Sequence, residues 1–82
     1  MKVPEHITGE WMDSLTDGDL LVAESSLRKS FFNLEREEKK RDGAQYELMR
    51  GSAELLAAWS RWSRVSTETR TRGLHPRWKQ LA

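Results

Sequence analysis

Trp59 and Trp62 stand three residues apart, with Arg61 and Arg64 interleaved. By residue type this is a nucleic-acid surface, since aromatic rings stack on bases and guanidinium groups neutralise phosphate. The arginines continue downstream: Arg61, Arg64, Arg70, Arg72 and Arg77 are joined by Lys79 and interrupted only by Glu68. Trp78, between Arg77 and Lys79, is placed for an exposed aromatic contact. These seven residues are the candidate surface for nucleic acid or for an acidic protein partner. Placed on a helix at about 100° per residue, however, Trp59 and Trp62 fall together and Arg61 falls about 200° from Trp59. The two residue types then separate in space, with the tryptophans on an apolar face and the arginines opposite.

Other chemistry is poorly supplied. The stretch DSLTDGDLLVAE puts Asp13, Asp17, Gly18, Leu20 and Glu24 at positions 1, 5, 6, 8 and 12 of a calcium-loop pattern. Position 3 is Leu15, which has no oxygen to give, and calcium takes about six to eight. A capped helix start explains the same residues, so no metal is expected. There is no cysteine, which removes thiolate nucleophiles, thiolate metal sites and disulfides. His6 and His75 each lack a ligand partner at helical spacing, and no glycine-rich phosphate loop is present. The reading is a non-enzyme without cofactor, metal or small-molecule substrate.

The elements that position these residues are helical. Thr16 fits an N-cap with Asp19 three residues on, and Leu15 and Leu20 are spaced as a hydrophobic staple. From there Leu20, Ala23, Leu27, Phe31 and Leu34 fall on one stripe, with Leu21 and Phe32 on a partial second one. Glu38 lands on the first stripe, and EREEKKRDG reads as a solvated helix end closed by Asp42-Gly43. A second helix is expected over 44–65, with Leu48, Ser52, Leu55, Leu56, Trp59 and Trp62 on one face. Residues 66–72 either continue it or form an extended arm, and Gly73 is a stop signal. Residues 1–15 form an N-terminal segment. Pro76, with Leu74, Trp78 and Leu81 at helical spacing, allows a short basic C-terminal segment over 74–82.

The two stripes lie at matching distances from the turn at 42–43. The expected fold is therefore a single all-α domain over 1–82: an antiparallel two-helix hairpin with short terminal segments packed on it. Leu27 is expected near Trp59, and Leu34 near Gly51, where a glycine permits close approach. Eighty-two residues make a marginal core, and association is the remaining common support. A dimer completing a four-helix, coiled-coil-like bundle is expected, with Leu20, Leu27, Phe31, Leu34, Leu48, Leu55, Leu56, Trp59 and Trp62 as the hairpin or dimer core.

Charge is uneven although the net value is +1. Residues 1–26 hold six acids against one lysine, and residues 51–82 hold six basic groups against two acids. There is no apolar run of about 18 residues and no basic-then-apolar leader, so a cytoplasmic protein that does not enter membranes is expected. The function expected is a small protein–protein interaction module: an adaptor, inhibitor or regulator that binds stoichiometrically, of a kind suited to a phage or other mobile element. The alternative is a nucleic-acid-binding regulator using the basic segment.

Overall fold

The computed structural model describes residues 2–43 and 52–74, and all regular structure among them is helical. Three helices follow in order: α1 (Gly9–Asp13), α2 (Asp17–Asp42) and α3 (Ala53–Thr71). Each begins at a hydroxyl cap. Thr8 accepts from Trp11 N, Thr16 from Asp19 N and Ser52 from Leu55 N, each at 3.1 Å, satisfying one of the amide donors that a helix start leaves without a partner. Asp17 and Asp19 sit in the first turn of α2, and Lys39, Lys40 and Arg41 in its last, both favoured by the helix dipole.

The stops are glycines in the left-handed region. Gly43 (φ 53°) ends α2. After α3, Gly73 (φ 73°) donates to Arg70 O and Leu74 donates to Thr69 O at 2.8 Å, the paired bonds of a Schellman motif. Residues 66–71 therefore continue the helix instead of forming an arm. Their serine and threonine content is tolerated because Thr67, Thr69 and Thr71 turn their hydroxyls onto the carbonyls of Ser63, Ser66 and Thr67.

α2 and α3 pack as two long antiparallel helices: Glu38 meets Ser52 at one end and Asp17 meets Arg72 at the other. On α2 the buried seam is Leu20, Glu24, Leu27, Phe31 and Glu38, with Leu34 half-buried. Those positions alternate four and three apart, the spacing of a heptad seam. On α3 the matching seam is Leu55, Ala58, Trp62, Val65, Thr69 and Arg72. Leu20, Leu27 and Val65 form the centre of the core with Met12 and Ala23, and Val3, Ile7, Trp11, Leu15, Trp62 and Leu74 pack around them.

Three expectations change. Leu56 and Trp59 are 60% and 52% exposed and do not face Leu27. At about 100° per residue, Trp59 lies about 90° and Leu56 about 150° from the line α3 presents to α2. The register is also displaced by about one turn at both ends of the hairpin, since Ser52 reaches Glu38 and Arg72 reaches Asp17. Finally, Glu38 does not mark a solvated end. It is 2% exposed, so the seam runs through it. Leu48 and Gly51 lie outside the described residues.

Candidate interaction surface

The hairpin has two broad faces, and the N-terminal residues cover one of them. Arg61 donates to Pro4 O at 2.8 Å. Arg72 gathers four partners: Met12 O at 2.7 Å, Leu15 O at 3.1 Å, Asp17 Oδ1 at 3.0 Å and Glu68 Oε2 at 3.1 Å. Hydrogen bonds to Asp17 and then Glu68 raise the Arg72 pKa above its ordinary value. A planar guanidinium offers five donors in a fixed fork, which suits two carbonyls and two carboxylates at once. Arg72 thereby binds carbonyls at and just beyond the end of α1, where Met12 O also accepts from Leu15 N at 3.1 Å. On the same side a groove of about 680 Å³ separates Glu5 and His6 from Ala57, Ala58 and Arg61.

Two buried acids fix the hairpin from within. Glu24 is 1% exposed, accepts from Trp62 Nε1 at 2.9 Å, and has Arg28 Nε at 3.5 Å. Glu38 accepts from both the amide and the hydroxyl of Ser52. Ser52 in turn caps α3, so a carboxylate from α2 supplies the return bond that a capping box takes from its own third residue. Sequence reasoning missed both roles. The available signal was their position, since each acid falls on the apolar seam of α2.

The second face is uncovered among the described residues. Leu21, Phe32 and Trp59 turn to it, Leu56 lies at its outer edge on the side of α3 away from α2, and Trp62 reaches its inner edge. Phe32 is 45% exposed and packs edge-on against Phe31 and Trp62, with centroids 5.3 and 5.5 Å apart. Phe31 and Trp62 are 5.5 Å apart. Val22 is also exposed, at 60%, but lies on the side of α2 away from α3. Exposed aromatics gathered on one face mark interaction sites more often than scattered ones do.

The described arginines of the basic segment differ in their surroundings. Arg61 and Arg72 are spent on backbone carbonyls, while Arg64 and Arg70 remain exposed. Arg77, Trp78 and Lys79 lie outside the described residues. The carboxylates of the calcium-loop pattern are also divided. Asp17 goes to Arg72 and Glu24 to the seam, and no cluster of three potential ligands occurs among the described residues. No helix among them is long and apolar enough to cross a membrane. Comparison with protein-family models, curated proteins and solved structures finds no match to this chain.

Proposed function

We propose that this chain is a small non-enzymatic interaction module, an adaptor, inhibitor or regulator that acts by stoichiometric binding through the open face of its hairpin. The observation that carries this reading is the asymmetry of the two faces. One is closed by residues 2–15, while the other leaves Phe32, Leu56 and Trp59 exposed at 45%, 60% and 52%. Rigid aromatic side chains on a helical scaffold lose little entropy when buried, which suits them to be binding anchors. Two such hairpins joined face to face make the four-helix bundle that a chain this small needs to enlarge its core.

The test compares three immobilised chains in one lysate: native, Phe32→Glu and Val22→Glu. Proteins retained by the native and Val22→Glu chains but lost from Phe32→Glu support the reading. An identical set on all three overturns it.

Nucleic-acid binding has less support, because two of its arginines are held by carbonyls. Arg64 and Arg70 are what favours it. If it holds, oligonucleotide affinity falls steeply between two salt concentrations, and replacing both arginines by alanine reduces that slope.

A further inference from the structure

We propose that the occupant of the open face is a second copy of this chain, packed antiparallel about a twofold axis that passes at Phe32. This rests on the interaction-module reading and names its partner.

Register gives the first argument. The Glu38–Ser52 hydrogen bonds tie one point on α2 to one point on α3. Six residues along from each, about 9 Å at 1.5 Å per residue, lie Phe32 on α2 and Ala58 on α3. Ala58 sits between Leu56 and Trp59 in the chain; Trp59 turns from it onto the open face, and Leu56 lies further round, at the outer edge of that face. Three of the four exposed large apolar side chains therefore form a belt at one height across the hairpin. An axis through that belt, perpendicular to the helices, sets Phe32 on Phe32 of the second copy. It also sets Leu56 on Trp59 of the second copy and Trp59 on Leu56. A twofold interface requires a patch that is complementary to itself, and a belt at a single height meets that requirement with no sliding of one hairpin along the other.

Charge gives the second argument and fixes the direction. Phe32 belongs to a stripe spaced like the buried seam: Leu21, Ser25, Arg28, Phe32, Glu35 and Lys39. Arg28 stands four residues before Phe32 and Glu35 three after it. Inverted by the axis, Arg28 of each copy meets Glu35 of the other, so the pair forms twice. In a parallel arrangement Arg28 would meet Arg28, and Glu35 would meet Glu35. Charged residues flanking an apolar seam set helix orientation in this way. Arg28 also lies beside Glu24 of its own chain, and a guanidinium fork can serve two carboxylates.

The chain has no cysteine, so Phe32→Cys introduces a single thiol on the axis. With oxidised glutathione present, that variant is expected to form a disulfide-linked dimer. Val22→Cys, at a more exposed position but on the far side of α2, is expected to stay mostly unlinked. Equal cross-linking of the two overturns the arrangement. Phe32→Glu and Phe32→Arg should each weaken self-association about 30-fold or more, as at a hot spot. When mixed they should form a one-to-one heterodimer, seen by sedimentation. Failure of the mixture to pair while the native chain dimerises moves the interface elsewhere. A native chain that sediments as a monomer overturns the second copy as occupant. The broader reading falls only if Phe32→Glu also retains every partner that the native chain captures.

Discussion

The covered and the open face of the hairpin draw on the same residue types and reach opposite outcomes. Both carry aromatic and aliphatic side chains and an arginine. On the covered face Met12, Ile7, Trp11 and Leu15 settle over Leu20, Leu27 and Val65, and two arginines fasten the covering backbone. On the open face Leu56 and Trp59 stay in contact with water although they are as apolar as anything in the core. Apolar character alone therefore does not decide burial in so small a chain. What decides it is which face the remaining chain can reach and hydrogen-bond to.

Substitutions can break or sharpen this contrast. The largest effect is expected at Leu20, which is fully buried: Leu20→Ala should cost about 2–5 kcal/mol by urea denaturation. A cost below about 1 kcal/mol would mean that the covered face is not the centre of the core. Next comes Glu38→Ala, which leaves the Ser52 amide and hydroxyl without their partner. A loss of about 1–3 kcal/mol is expected, with the first turn of α3 exchanging amide protons faster. Unchanged exchange there would remove the inter-helix cap from the account.

Trp59→Ala should cost a dilute chain less than about 1 kcal/mol, despite the size of the side chain removed. A penalty as large as that of Leu20→Ala, at every protein concentration, would mean that Trp59 packs within its own chain. The smallest effect belongs to Asp42, where the Arg41 hydrogen bond holds the carboxyl below its ordinary range. A depressed folded-state pKa stabilises above the unfolded value, and that contribution is lost as pH falls through the folded one. Asp42→Asn should thus be marginally destabilising at neutral pH and indistinguishable from native in acid. A difference that grows on acidification would reverse this sign.

Much of α2 was legible in the sequence because its signals agree. Thr16 as cap, the stripe from Leu20 to Leu34 and the glycine stop all describe one helix. α3 misled where large side chains outweighed small ones. Leu56 and Trp59 draw the apparent apolar centre toward themselves, while the line facing α2 runs through Ala58, Thr69 and Arg72. Ala58 and Thr69 are modest in hydrophobicity, and Arg72 is charged. The latter two are tolerated there because of their partners: Thr69 bonds its own turn, and Arg72 finds carbonyls of Met12 and Leu15. The acids were misread for a related reason. Glu38 ends an apolar stripe by its type, and only its partner Ser52, fourteen residues away, shows why burial is tolerated. Arg61 and Arg72 looked like polyanion contacts because backbone acceptors leave no mark in a sequence.

The bonds made by Arg72 also order events in time. Arg72 and Met12 are 60 residues apart in the chain, whereas Glu38 and Ser52 are 14 apart. Closing the longer loop costs about 1.3 kcal/mol more in chain entropy, so the α2–α3 hairpin is expected to form first and the N-terminal residues to dock onto it afterwards. In the reverse direction the same residues detach earliest. Brief openings would then uncover Leu20 and Val65 while the hairpin persists, and limited proteolysis should find its first cut between residues 2 and 15.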